Sequence, residues 1–166
     1  MRQVLTIAAL AVLTATLAAA ETLLERAKRD DIAFVEKNDA EMAAAMRRAR
    51  ETLPDFLKLA RAPRPKTRGF AVKVAVVQND DVEYFWIAPF QQGKAGFTGE
   101  INNAPQLVKN VKLGQRITFQ ENEIVDWLYD DGGRMMGNYT ACVLLKREPK
   151  QEAEAFMKHL GLRCDP

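Results

Sequence analysis

The sequence predicts an α+β domain: a mainly antiparallel sheet of about five or six strands, flanked by an N-terminal amphipathic helix and a C-terminal helix. Three observations predict it. Apolar residues recur at steps of three and four from Met42 to Ala60, the period of a helix with one buried face. From Phe70 onward, short alternating apolar runs follow one another with turn residues between them and no helical pattern separating the strands. Strands in series argue against a doubly wound parallel sheet. Helical spacing returns only after Pro149.

At the N-terminus, Arg2 precedes an apolar run from Val4 to about Leu17, and the triplet Ala18, Ala19, Ala20 stands directly before Glu21. That order reads as a Sec-type signal peptide over residues 1–20, cleaved between Ala20 and Glu21. The run is at the short limit for spanning a bilayer, which takes roughly 20 apolar residues, so a retained anchor is the rival reading. No cysteine follows the run, which rules out a lipidated N-terminus, and no later segment is long and apolar enough to span. The expected location is periplasmic or secreted, with no membrane span after cleavage.

Residues 21–38 form a lead-in: 21–31 suit a short amphipathic helix or a frayed approach, and 32–37 suit a strand. The domain proper is expected over 39–147. Asn38 and Asp39 are N-cap types, and Glu41 stands where the helix dipole favours acid. The following helix buries Met42, Met46, Ala49, Leu53, Phe56 or Leu57, and Ala60, with Arg47, Arg48 and Glu51 outward. Pro54 predicts a kink or a fresh helical start. RAPRPKTR (61–68) reads as a solvated connector, with an anion contact as the sharper alternative.

Period-two alternation over 69–77, the turn residues QNDD (78–81) and alternation over 82–88 predict an antiparallel hairpin. Pro89 to Gly96 is expected as a loop, 96–101 as a strand, 103–114 as a turn or short helix, and 116–119 as a strand. EIVDWLY (123–129), DDGG (130–133) and RMMGNYTACVLLKR (134–147) read as a second hairpin, although the residues up to Val125 also suit a helical turn. Residues 148–166 supply a C-terminal helix and tail, with an apolar face of Ala153, Phe156, Met157 and Leu160 and with Gly161 closing the helix.

Composition removes several chemistries. The chain has 166 residues, 24 Lys and Arg against 22 Asp and Glu, and loses one Arg with the leader, so it is near neutral and unlike a nucleic-acid binder. Residues 21–166 suffice for one core that buries roughly two thirds of its unfolded surface. No serine occurs, so a Ser-His-Asp machine cannot be built, and His159 is the sole histidine. One His and two Cys make no zinc site, DDGG lacks the calcium-loop pattern, and no phosphate-binding loop is present. No metal and no cofactor are therefore expected.

Three constellations remain. Export would favour a Cys142–Cys164 disulfide, tying the C-terminal helix to the sheet; two inert thiols are the alternative. Glu100, Glu121, Glu123, Asp126, Asp130 and Asp131 cluster in sequence, and two convergent carboxylates could hydrolyse a glycosidic bond, although most acidic residues are simply solvated. Trp86, Trp127, Tyr129 and Tyr139, with Asn102, Asn103, Asn138 and Asp126, are the residue types of a peptide or sugar surface; strand aromatics are also ordinary core. Asp126 stands inside an apolar run, so an inward carboxylate must find backbone N–H donors.

GEINNAP (99–105), LGQRITF (113–119), IVDWLYDDGG (124–133) and MGNYT (136–140), in that order, resemble the YegJ-like bacterial domain family, the domain of unknown function numbered twenty-three fourteen. ETLPDFL (51–57) and FAVKVAV (70–76) resemble its helix and first strand, so the likeness spans roughly 39–147. It implies a small α+β domain, often exported, and supplies no catalytic residues. Asn102, Pro105, Gly114, Asp126, Trp127, Gly137 and Thr140 match its pattern and fit architecture: glycines for turns, Asp126 for capping, Trp127 for core.

The functional expectation is an exported, non-enzymatic module binding a protein, a peptide or a cell-envelope component. Its alternatives are a carboxylate-dependent envelope glycan hydrolase and an inhibitor or immunity-like protein.

Overall fold

The structure is a computed structural model describing residues 39–164. The leader, its Ala20–Glu21 junction and the segments 21–31 and 32–37 lie outside the described residues.

Helix α1 (Ala40–Arg61) begins at Asp39, whose Oδ1 accepts the Met42 N–H at 2.9 Å, and it buries Met42, Ala49, Leu53, Phe56 and Leu57. It continues through Pro54 with no fresh start. Proline removes one intrahelical donor, but Leu53 on one side and Phe56 and Leu57 on the other hold the helix to the core.

Six strands follow in one sheet of order β4-β3-β2-β1-β5-β6, with every neighbouring pair antiparallel. They are β1 (Thr67–Gln78), β2 (Asp81–Gly93), β3 (Gly96–Ile101), β4 (Arg116–Phe119), β5 (Ile124–Asp131) and β6 (Arg134–Gly137). β1 and β2 form the expected hairpin, Gln78 pairing with Asp81. The expected loop after Pro89 is instead the end of β2. A register shift between Ile87 and Phe90 absorbs the proline, and pairing with β3 resumes from Phe90–Gly99 to Gly93–Gly96.

Residues 102–115 are irregular and not helical. Glu83 holds them: Oε1 accepts the Gln106 N–H at 2.9 Å, and Oε2 accepts those of Leu107 and Val108 at 2.9 and 3.0 Å. This carboxylate, 5% exposed, seats Val108 in the core. A single 3-10 turn (Glu121–Glu123) leads into β5.

The second expected hairpin is half right. β5 and β6 pair as predicted, but β6 ends at Gly137 and residues 139–145 are helix α2 (Tyr139–Leu145). Gly137 and Asn138 both have positive φ, 78° and 57°, which turns the chain out of the sheet. Cys142 thus lies on a helix, not a strand. Helix α3 (Lys150–Leu160) follows, ending at Gly161 in the left-handed region. A small second cluster of Leu145, Ala153 and Leu162 packs there, and the disulfide Cys142–Cys164, with Cα atoms 5.3 Å apart, closes it.

The sheet has two unlike faces. Val72, Val74, Phe85, Ile87, Ile124 and Trp127 turn toward α1 and form the main core. The residues between them turn away from it, and there Val77, Val82 and Tyr84 are 58%, 42% and 41% exposed.

Candidate functional site

Two constellations hold the polar and aromatic residues that could carry function. One lies on the sheet face opposite α1. β1 is central, so Lys73 has two cross-strand partners, Trp86 on β2 and Asp126 on β5, all on one face. Asp126 is wholly buried. Its Oδ1 accepts the N–H groups of Trp127 and Tyr139 at 2.9 and 3.2 Å; its Oδ2 accepts the N–H and hydroxyl of Thr140 at 2.8 and 2.6 Å. The same hydroxyl accepts a hydrogen bond from Lys73 Nζ at 2.7 Å. The ammonium also lies 4.5 Å from the centre of the Trp86 ring.

Burial pushes the Lys73 amine below its usual range, and the charge of Asp126 opposes that shift. The Thr140 proton is committed to the carboxylate, and Thr140 is 3% exposed. The arrangement therefore clamps α2 to β1 and β5. The backbone donors expected for Asp126 are the Trp127 amide and the two amides at the start of α2.

The other constellation flanks α1. A sheet of six strands is roughly 25–30 Å wide, whereas a helix is about 10–12 Å across, so one helix leaves the core face open on both flanks. Beside β2 and β3 lies a cleft of about 640 Å³ against Leu57, Phe70, Phe90 and Phe97, bounded by Arg61, which donates to Gln92 Oε1 at 2.8 Å.

Beside β5 lies a second cleft of about 520 Å³. Phe56, Trp127, Tyr129 and Tyr139 form its walls, and Thr52, Asp55, Lys58 and Arg64 its rim. Trp127 stacks on Phe56 at 4.9 Å and meets Tyr139 edge-on at 5.6 Å. Its indole N–H donates to the Ala49 carbonyl at 2.9 Å, so the indole's one donor is used on the helix. Thr52 Oγ1 lies 3.4 Å from the Tyr139 hydroxyl, and the Arg48 guanidinium sits 5.4 Å over the Tyr139 ring.

The structure divides the aromatic and amide residues singled out from sequence. Trp127, Tyr129 and Tyr139 meet in the second cleft. Trp86 lies on the opposite sheet face. Asn102 and Asn103 secure the edge of β2: the Asn102 N–H donates to the Trp86 carbonyl at 2.8 Å, and Asn103 Oδ1 accepts the Trp86 N–H at 2.9 Å. Asn138 is buried at the start of α2; its N–H donates to the Trp127 carbonyl at 2.8 Å, while its Oδ1 has no partner.

The six clustered carboxylates do not share one cavity. Glu100 pairs with Arg116 at 2.8 Å, Asp130 with Arg68 at 3.2 Å and Asp131 with Arg64 at 3.4 Å; Asp126 is buried, Glu123 caps the turn that it ends, and Glu121 is exposed at the start of that turn. Among the described residues, no three His, Cys, Asp or Glu side chains group as metal ligands would.

Sequence reasoning missed Lys73, Glu83 and the stripe of Thr52, Asp55 and Leu59 that runs along α1 from Arg48, read only as outward, to Ala62 just past its end. The stripe has a legible signal, since its steps of four and three trace one flank of the helix. Lys73 has none short of the strand register.

Residues 39–164 match the family model described as "Uncharacterized protein conserved in bacteria (DUF2314)". The chain is 33% identical over 119 residues to "Uncharacterized protein YegJ" of Escherichia coli (strain K12), an overlap of 72% of this chain and 76% of that protein. No solved structure matches.

Proposed function

The chain belongs to the DUF2314 family of bacterial proteins, and from that premise we propose that it is a non-enzymatic binding module that works outside the cytoplasm and holds its ligand in the cleft between α1 and β5. The observation that carries this reading is the convergence of Trp127, Tyr129 and Tyr139 with the polar rim of Thr52, Asp55, Lys58 and Arg64. Apolar walls with a few polar groups around the mouth are the general make-up of a ligand site.

Export is supported by the order of residues in the leader and by the Cys142–Cys164 bond, a linkage that persists in oxidising compartments. No helix of the described residues is long and apolar enough to cross a membrane. The hydrolase alternative draws less support: of the carboxylates that it needs, Glu100, Asp130 and Asp131 are paired with arginines, Asp126 is buried and Glu123 is used as a cap, and neither cleft is lined by any of them.

The test is a photo-crosslinking residue in place of Lys58, which is exposed at the cleft, with the same residue in place of exposed Leu113 as control. In cells, the periplasmic or secreted fraction should contain a chain starting at Glu21, crosslinked from position 58 and not from 113. A chain confined to the cytoplasm, or equal crosslinking from both positions, defeats the proposal.

A further inference from the structure

We infer that the ligand of the α1–β5 cleft is an acidic peptide segment of a partner protein, an inference that rests on the binding reading above. The rim of the cleft has an excess of cations. Arg48 stands at one end over Tyr139, Lys58 stands on α1, and Arg64 stands at the other end in the connector; Asp55 is the acidic lining residue. Lys58 has no ion-pair partner among the described residues. Among the described residues the Arg64 guanidinium pairs with Asp131 alone, at 3.4 Å, with the two side chains 62% and 39% exposed. An exposed pair of that kind contributes little, so a ligand carboxylate can replace Asp131 at small cost.

The shape favours a peptide. Along α1, the distance from Arg48 to the end of the helix at Arg61 is roughly 20 Å, the reach of about six extended residues. The walls are aromatic, yet Trp127 and Tyr129 are only 6% and 7% exposed. So little exposed indole and phenol suits contact with an aliphatic or aromatic side chain better than stacking of a sugar ring, which needs an open face. The near-neutral chain has no wide basic field for a nucleic acid. The connector RAPRPKTR thus contributes Arg64 to a mixed apolar and cationic groove rather than forming an anion site by itself.

The test is display of a randomised peptide library against the folded, oxidised chain, followed by NMR titration of the enriched peptides. The chain has two tryptophans, on opposite sheet faces, so the two indole N–H resonances report the two surfaces. Enriched peptides should carry Glu or Asp beside an apolar residue and should move the Trp127 indole while leaving that of Trp86 in place. Their binding should weaken about tenfold in the double variant Lys58→Glu, Arg64→Glu, and weaken with added salt. Asp55→Asn should tighten it.

Neutral or basic enriched peptides that move Trp127 overturn the acidic class and leave the cleft reading standing. Peptides that move only the Trp86 indole, or a library that yields none, overturn both. All three substituted positions are on the rim and two are exposed on α1, so a folded variant is expected; amide spectra of the free variants check this.

Discussion

Asp126 Oδ2 accepts both the backbone N–H and the hydroxyl of Thr140, at 2.8 and 2.6 Å, although the two residues stand fourteen positions apart. One carboxylate oxygen thereby fixes the first turn of α2 against the sheet. The other oxygen takes two more N–H groups, so each oxygen has two donors.

Asp126→Asn should therefore be costly. An amide keeps the volume, but it has one acceptor oxygen and points an N–H₂ group at donors. The expected loss is roughly 3 kcal/mol, as for other broken buried charge networks. Urea unfolding followed by circular dichroism measures it. A loss well under 1 kcal/mol would show that the clamp is incidental.

Lys73 makes stability depend on alkaline pH. Burial lowers its native pKa, whereas the lysine of the unfolded chain titrates near 10.5. Below the native pKa the ammonium is charged in both states, and its burial cost is fully present. Between the two pKa values the unfolded chain binds more protons, so stability rises with pH. The unfolding free energy of the wild type minus that of Lys73→Met should increase across this window. A difference that stays flat or falls contradicts the sign.

The disulfide joins residues 22 positions apart. Closing a loop of that size stabilises by roughly 3 kcal/mol in the chain-entropy account. Cys142→Ala with Cys164→Ala should lower stability by about that amount, with hydrogen exchange rising first in α3 and the residues after it. Thiol labelling of the exported, unreduced protein should find no free cysteine; two labelled thiols would remove the bond.

Gly137→Ala should be among the most damaging single changes. A Cβ there would lie 2.2 Å from the Trp127 carbonyl oxygen and 2.5 Å from its ring, at φ 78°. Backbone and a packed indole cannot yield as a flexible side chain does, so a loss of at least about 3 kcal/mol, or failure to fold, is expected. Near-wild-type melting would mean that the turn into α2 can relax.

The legible parts of the fold are those set by neighbouring residues. Asp39 as cap and the buried stripe of α1 follow from local spacing, as do the β1–β2 hairpin and the turn between β5 and β6. Pro89 reads as a strand end because a proline removes a ladder donor; whether a bulge absorbs it depends on β3, a different part of the chain. ACVLL (141–145) reads as strand because its residue types suit one. It is helix because Asp126, far back in sequence, captures the amides that start it.

The candidate site is legible only as a list of residue types. Trp127, Tyr129 and Tyr139 stand out as aromatics, but their meeting across α1 depends on how the helix lies on the sheet. The same register that places Trp127 in the core sends Trp86 to the opposite face beside Lys73, splitting a set that sequence alone leaves together.

By itself the sequence determined the class of the fold, the chemistry closed to it by the absence of serine and the single histidine, and which two cysteines had to pair if any did. Only the tertiary structure decided that Cys142 and Cys164 lie 5.3 Å apart, that Asp126 and Glu83 are backbone clamps, and that the connector's Arg64 borders an aromatic cleft. The physical reason is range. Periodicity and turn chemistry act between residues a few positions apart, whereas burial, charge pairing and cleft walls arise from residues brought together by strand register.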